Sequence, residues 1–201
     1  MPQTLTSTIP PYEAVPNRIR WTRQQCDAMR DSGILEGRYE LVDGDILVKK
    51  GQTPSHAYTV HLASCLLVTL WSREYIFTQS TLDLSDVSPD YDEPEPDMMV
   101  TLHPFTHYAA SHPTPSDVRL LIEVSDSTLR MDRGKKANVY ARAGIADYWI
   151  VDLNHRCVIV HRQPTGEGYQ EVVAYNESEE VALLACPEVP IAVSQLLPPA
   201  N

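Results

Sequence analysis

Two acidic side chains and a pair of lysines have the residue types and the spacing that could carry out chemistry. Asp97 stands at the entrance of a short apolar segment, and Glu123 lies near the end of a longer one. If these segments are neighbouring strands, which lie about 4.8 Å apart, their carboxylates could hold one hard cation. Lys135 and Lys136 follow in a predicted helix that can reach the same end of the sheet. A lysine beside such a cation suits the hydrolysis of a phosphodiester.

Each of these residues also has an ordinary structural interpretation. Asp97 could be a surface acid and Glu123 a hydrogen-bonded core residue, while the lysines could belong to a solvated helix face. The order in which the three features follow one another along the chain favours a shared site.

The length and composition predict one folded domain. The chain has 201 residues, of which 43% are hydrophobic, enough for a substantial core. We expect a single domain at residues 20–201 after a flexible, Pro- and Thr-rich tail at residues 1–19. No apolar run approaches the roughly 18 residues that cross a bilayer. The N-terminal residues also lack the basic start and the apolar segment of a signal peptide.

The four cysteines, at positions 26, 65, 157 and 186, are far apart and form no Cys-x-x-Cys pair. This spacing argues against a zinc site and, in a chain without a signal peptide, against a disulfide framework. We therefore expect a reduced, cytoplasmic protein that has no membrane segment.

The charge pattern separates an acidic stretch from a basic helix. The net charge of −11 opposes indiscriminate binding to nucleic acid, because neutralising phosphates requires local positive charge. Residues 83–97 carry seven acids and no base, which ordinary surface patterning could explain. Residues 130–142 carry five cationic side chains against one acid. Besides Lys136, we predict these cations to contact nucleic acid: Arg130, Arg133, Lys135 and Arg142.

Hydrophobic periodicity and turn residues give the order of elements. An Asp43-Gly44 turn predicts a hairpin at 38–48, and the helices are expected at residues 22–30, 54–71 and 132–143. Strands are expected at residues 75–79, 81–84, 96–100, 118–125, 147–152, 157–162 and 169–175. The helix that crosses between the strands at 118–125 and 147–152 predicts an α/β (α+β) fold with a mixed sheet.

Histidine and serine residues offer further candidates. His56 lies on the buried stripe of the helix at 54–71, where it is either a satisfied core residue or a hydrogen-bond partner of an acid or a metal-bound water. His103 and His107 are spaced i, i+4, but Pro104 and the composition of their loop disfavour a metal-binding helix. Ser125 lacks a Gly-x-Ser-x-Gly setting, so nothing indicates a serine hydrolase.

Six segments, taken in order, resemble the Uma2 family, whose bacterial members are classed as endonucleases of the PD-(D/E)XK superfamily. The resemblance covers roughly residues 20–165. It is carried by Tyr39-Glu40-Leu41-Val42-Asp43-Gly44, Ser55-His56, Pro96-Asp97, Leu121-Ile122-Glu123-Val124-Ser125, the stretch from Asp132 to Gly144, and Asp147–Asp152. Any one of these motifs is weak, whereas six in the same order are specific.

The resemblance implies a restriction-endonuclease-like core, with a central mixed sheet flanked by helices. It also implies Mg²⁺-dependent hydrolysis of nucleic-acid phosphodiesters, with DNA as the expected substrate and Mn²⁺ as a possible substitute. Asp97, Glu123 and the carbonyl of Val124 would bind the metal, and Glu40 would be an additional acid. Lys136 would be the catalytic lysine, and we assign supporting roles to His56 and Ser125.

The chain departs from the superfamily pattern at one position. Ser125 stands where the lysine of the (D/E)-x-K triplet is expected, and the lysine of the Uma2 pattern lies on the following helix. Lys136 suits that role because it shares a helix face with Tyr140. Lys135 points about 100° away, so we interpret it as solvated or as a phosphate contact.

Two alternatives to a DNA endonuclease stay open. The same fold could serve as a nucleic-acid-binding or regulatory module that no longer turns over, which the serine at position 125 and the net charge favour. A phosphodiesterase for a small molecule is the weaker alternative.

A homodimer is expected because cutting both strands of a duplex needs two sites related by a two-fold axis. The apolar stretch Val181–Leu197 or the meander at 157–175 would contribute to the interface. The alternative is that Val181–Leu197 packs on its own domain.

Overall fold

A mixed sheet with helices on both faces organises the chain. The structure, a computed structural model, describes residues Gln3–Thr4, 18–49 and 51–200. The tail predicted at residues 1–19 lies mostly outside these residues and stays a prediction. Within the described residues, no helix is long and apolar enough to cross a membrane.

The strands are β1 Gln3–Thr4, β2 Tyr39–Val42, β3 Asp45–Val48, β4 Ile76–Thr78, β5 Met98–Thr101, β6 Val118–Ser125, β7 Asp147–Asp152, β8 Cys157–Thr165, β9 Gly168–Asn176, β10 Glu180–Leu183 and β11 Cys186–Ala192. The helices are α1 Arg23–Asp31, α2 Pro54–Leu70, α3 Leu129–Met131 and α4 Ala137–Arg142, with a π-helical segment at Asp132–Lys136 between the last two. Short 3₁₀ turns lie at Arg73–Tyr75, Phe105–Tyr108, Pro115–Asp117 and Val193–Leu196.

Seven strands form the main sheet in the order β1-β9-β8-β7-β6-β5-β4. Only β6 and β7 run parallel, and the helical segment from α3 to α4 connects them. The other neighbours are antiparallel. The mixed sheet and the crossover helix that the sequence predicts are therefore confirmed.

The sheet buries both of its faces, and β6 is accordingly apolar at five of its eight positions. Leu120, Ile122 and Val124 point to the face covered by α2 and the C-terminal hairpin β10–β11. Leu121 points to the opposite face, covered by α4 and the hairpin β2–β3. Because side chains alternate along a strand, Glu123 is directed to the same face as Leu121. The one acid of β6 therefore lies beneath α4.

The hairpin β2–β3 turns at Asp43 and Gly44, as the sequence predicts. Both residues have positive φ values, 51° and 78°, which is the type I′ geometry that matches the twist of the strands. A Cβ atom at position 44 would also lie 2.7 Å from Cβ of Arg20. Glycine is thus required at position 44 by both its positive φ and the close approach of Arg20. The turn fixes the register of the hairpin, which places Glu40 opposite Leu47.

The helix after β6 begins earlier than the sequence predicts and is not regular. Helical structure starts at Leu129, and residues Asp132–Lys136 form a π-helical turn before α4. Gly144, with a φ of 79°, ends the helix. A π turn is wider than an α-helical one and often occurs at functional sites. In this chain it carries both lysines of the predicted site.

One prediction about strands was wrong. Residues 81–84 form no strand, and Leu82 and Leu84 are instead buried as parts of a loop.

The stretch Val181–Leu197 contains most of the hairpin β10–β11 and one 3₁₀ turn. Its two strands pair with each other and not with the main sheet. Its apolar side chains, such as Val181 and Leu196, are buried in the core beside α2. Of the two alternatives for this stretch, packing on its own domain is therefore the one that the structure shows.

Candidate active site

Asp97 and Glu123 face each other across two antiparallel strands. Met98 of β5 pairs with Ile122 of β6, and one further step in this register places Asp97 opposite Glu123. Directly opposed residues share a face and have Cβ atoms about 4.5–5.5 Å apart. Both side chains are buried. The structure therefore brings together the two acids that the sequence singles out.

Two donors from the crossover helix hold one oxygen of Glu123. Nζ of Lys136 lies 2.9 Å from Oε1, and the hydroxyl of Tyr140 donates to the same oxygen over 2.7 Å. The two donors are four residues apart and so lie on one helix face. Glu123 is 3% exposed and Lys136 4%, so this contact is shielded from solvent.

Asp97 is also held through one of its oxygens. Its Oδ2 accepts hydrogen bonds from the backbone N–H of Val124 at 2.8 Å and from Nε2 of His56 at 3.0 Å. Burial alone would raise the pKa of Asp97, but the hydrogen bond and charge of His56, with the Val124 N–H, hold that pKa below its ordinary value. The contact between His56 and an acid is one of the two interpretations that the sequence left open.

Glu40 shares the ammonium group of Lys136. Its Oε1 lies 2.8 Å from Nζ of Lys136, and its Oε2 accepts the N–H of Glu95 at 3.1 Å. Both oxygens of Glu40 are therefore engaged, and this acid is suited to anchoring Lys136. A single lysine thus joins the separate hairpin β2–β3 to the main sheet.

The cluster holds more negative charge than its lysine can balance. Asp132, which lies one turn before Lys136, is buried and accepts a hydrogen bond from the hydroxyl of Thr128 at 2.5 Å. Burial raises the pKa of Glu123 to about 8; Lys136 opposes this rise, whereas Asp97, Asp132 and Glu40 add to it. Burial likewise raises the pKa of Asp132. The repulsion among these carboxylates would be reduced by protonation or by binding a further cation.

The donor set fits a small, hard cation. The hydrogen bonds among the described residues leave Oδ1 of Asp97 and Oε2 of Glu123 unused. In the described part of the chain, no three His, Cys, Asp or Glu side chains form a metal-binding group, so the protein would supply two carboxylates. Mg²⁺ commonly takes one or two carboxylates and keeps several waters. A closed zinc site would need four protein ligands.

Lys135 differs most from its sequence-based interpretation. It is not solvated: its side chain is 3% exposed and forms an ion pair with Asp45 on β3. Arg130 and Arg142 are exposed, and Arg133 is half-buried. Ser125 is buried, with its hydroxyl 3.4 Å from that of Thr128.

His107 lies in the 3₁₀ turn Phe105–Tyr108, and His103 lies just before that turn. Their ring centroids are 4.4 Å apart, and both rings are near Tyr108. They follow the end of β5 that is opposite to Asp97. These histidines do not contribute to the acidic cluster.

Two members of the cluster, Asp132 and Tyr140, had no role predicted from the sequence. Asp132 lies four residues before Lys136, and Tyr140 lies four residues after it. The i, i+4 spacing places Tyr140 on the face of Lys136, as predicted, and gave the same signal for Asp132. Their roles could not be inferred without knowing that this face meets Glu123.

Comparisons with known proteins bear on the family and the fold. Residues 33–194 match the family model Uma2, which is described as "Putative restriction endonuclease". The chain also resembles the crystal structure of "a putative nuclease belonging to DUF820" from Anabaena variabilis, with a TM-score of 0.61 and 14% sequence identity. That alignment covers 84% of this chain and 96% of the other, and it shows a shared fold. No curated protein matches this chain.

Replacing Lys136 by methionine should destabilise the metal-free protein. The change leaves Glu40 and Glu123 buried without their shared counter-charge, which typically costs about 3–5 kcal/mol of the free energy of unfolding. The loss should be largest at pH 9, above the raised pKa of Glu123, and smaller at pH 5, where a protonated Glu123 no longer repels Glu40. Urea unfolding at both pH values measures it.

Lys49→Met provides the matched control, because Lys49 hydrogen-bonds the carbonyl of Glu95 at the rim of the cluster. If Lys136→Met lowered the free energy of unfolding at pH 9 no more than the control does, the shared ion pair would be contradicted.

Proposed function

This chain belongs to the Uma2 family, and we propose that it is a metal-dependent endonuclease that hydrolyses the phosphodiester bonds of DNA. The observation that carries the proposal is the buried set of Asp97, Glu123 and Lys136, in which each carboxylate is held through one oxygen. The nuclease family supports hydrolysis of nucleic acid. The proposed metal is Mg²⁺ and the proposed substrate is DNA.

Asp97 and Glu123 would hold the cation through their remaining oxygens, with the carbonyl of Val124 as a third protein ligand. When bound there, Mg²⁺ or Mn²⁺ supplies a Lewis acid for the phosphate oxygens and lowers the pKa of an attacking water. His56 keeps Asp97 ionised and oriented, because it donates to the oxygen that the cation does not need. Hydrogen-bonded outer partners of this kind are common around metal ligands.

Lys136 would stabilise the charge that develops on the phosphate. Its ammonium group is fixed between Glu40 and Glu123, and the nearby acids raise its pKa well above the ordinary value despite burial. It therefore stays protonated at every working pH. A preorganised cation in a water-poor site stabilises transition-state charge better than one in bulk water. Glu40 would keep Lys136 in place while the phosphate binds.

Basic side chains of the crossover helix would bind the DNA backbone. Arg130 and Arg142 are exposed, although Arg142 lies 3.8 Å from Asp92. Nε of Arg133 is buried and has no hydrogen-bond partner among the described residues. Lys135 would contribute less, because Asp45 already neutralises it. These groups would supply local positive charge on a chain whose net charge is −11.

We also propose a homodimer, for which one of the two predicted contact surfaces is left. The apolar side chains of Val181–Leu197 are buried in the core of their own domain. The β8–β9 meander is therefore the remaining candidate for the dimer contact. Two copies related by a two-fold axis would present two Asp97/Glu123 sites to the two strands of a duplex.

Replacing Asp97 by asparagine or Glu123 by glutamine should reduce cleavage of plasmid DNA in Mg²⁺ or Mn²⁺ by more than about 100-fold. Each change removes one charged ligand and keeps the shape of the side chain. A plasmid-nicking assay measures the loss, and circular dichroism establishes that the variants are folded. Asp86→Asn is the matched control, since Asp86 is an exposed acid of the same acidic stretch.

Full activity in either site variant would end this assignment. Binding of the same DNA without cleavage by the wild type, with every metal tested, would favour the alternative of a nucleic-acid-binding module. An electrophoretic shift assay on the cleavage substrate distinguishes the two functions.

Replacing Arg130 or Arg133 by alanine should weaken DNA binding in a salt-dependent way. Each lost phosphate contact should reduce the slope of log K against log salt by about 0.9, and fluorescence anisotropy in Ca²⁺ measures it. Arg156→Ala is the control, because Arg156 pairs with Glu177 at the end of β9. Unchanged slopes in both helix variants would remove these residues from the DNA-binding surface.

A further inference from the structure

Tyr140 is the only one of three neighbouring buried or half-buried tyrosines whose hydroxyl reaches an acid. The rings of Tyr140, Tyr148 and Tyr169 pack in series, with centroid distances of 5.0 Å and 6.1 Å. The hydroxyls of Tyr148 and Tyr169 donate to backbone carbonyls, those of Asp132 and Ile145. The hydroxyl of Tyr140 instead donates to Oε1 of Glu123 at 2.7 Å. A buried tyrosine usually finds a partner for its hydroxyl, but a backbone carbonyl would satisfy it equally well.

The shared oxygen gives this contact a consequence for the metal site. Oε1 of Glu123 receives both Tyr140 and Lys136, so rotation of the carboxylate would break two hydrogen bonds. Oε2 has no hydrogen bond among the described residues, and Asp97 lies opposite Glu123 in the register of β5 and β6.

Lys136 cannot hold Glu123 alone if it also serves the substrate. Its ammonium group is already divided between Glu40 and Glu123, and an incoming phosphate would compete for it. A hydrogen bond from a neutral, fully buried phenol has no such competitor, since Tyr140 is 0% exposed. The hydroxyl of Tyr140 can therefore keep the Glu123 carboxylate in place while the ammonium group of Lys136 moves toward the phosphate.

We propose that Tyr140 is a positioning residue of the metal site. Its hydroxyl fixes Glu123 so that one carboxylate oxygen stays directed at the cation, and it leaves Lys136 able to interact with the phosphate. The inference rests on the proposed function, because it assigns Glu123 to the cation. It adds a residue that acts through Glu123 and touches neither cation nor substrate.

Titration calorimetry of the full chain with Mn²⁺ and with Mg²⁺ tests the proposal without any nucleic acid. Tyr140→Phe removes only the hydroxyl and should weaken metal binding roughly 10-fold, the lower end of the usual effect of an outer-shell partner. Tyr169→Phe is the matched control, because it also removes one hydroxyl that is bonded inside the protein. The control should keep the wild-type dissociation constant.

A second measurement separates positioning from loss of structure. In the cleavage assay, Tyr140→Phe should raise the metal concentration needed for half-maximal rate more than it lowers the rate at saturating metal. If Tyr140→Phe acted by unfolding the protein, it would instead lower the melting temperature and the rate at saturating metal together.

The outcomes distinguish the inference from the function on which it rests. Equal dissociation constants for folded Tyr140→Phe and the wild type would overturn the role of Tyr140 and leave the metal site intact. An equal weakening in Tyr169→Phe would also overturn it, because the effect would then follow from any buried hydroxyl. A wild type that binds neither metal would overturn the metal site itself.

Discussion

The ammonium group of Lys136 is the point on which the site and much of the fold depend. It lies between Glu40 of the hairpin β2–β3 and Glu123 of the main sheet, although the two sheets share no ladder. Burying three ionisable groups is costly unless each is paired and hydrogen-bonded, and here each has at least one such partner. The cost explains why so many neighbouring groups, among them Tyr140 and the N–H of Glu95, are directed at this cluster.

One helix serves two acids on different strands. Lys135 and Lys136 are consecutive and both buried, and they pair with Asp45 and Glu123. Consecutive side chains of a helix diverge by about 100°, so one of the two would face solvent if the helix packed on the main sheet alone. The hairpin β2–β3 supplies the partner of Lys135, and the helix connects β3 and β6 through adjacent residues. Two ion pairs, Lys135–Asp45 and Lys136–Glu40, thus connect the hairpin β2–β3 to the helix that covers the acids. These contacts keep Glu40 at the site.

Much of this arrangement could be predicted from the sequence, because it follows from local patterns. The Asp43-Gly44 turn, the apolar strand at Val118–Ser125 and the crossover helix all have local signals, and they place Asp97 opposite Glu123. The burial of Lys135 could not be predicted, since Asp45 lies 90 residues away in the chain. The pairing of β10 with β11 was hidden for another reason: two prolines, Pro187 and Pro190, interrupt the β pattern, and the ladder is irregular after Ala182.

The central claim is that Asp97 and Glu123 hold one cation through the two oxygens that their hydrogen bonds leave unused. Anomalous diffraction from crystals grown with millimolar Mn²⁺ tests it most directly. The account predicts an anomalous peak that contacts Oδ1 of Asp97 and Oε2 of Glu123, while Tyr140 and Lys136 stay on Oε1. Crystals that diffract well and show no peak between these two carboxylates, or a peak coordinated by other residues alone, would contradict it.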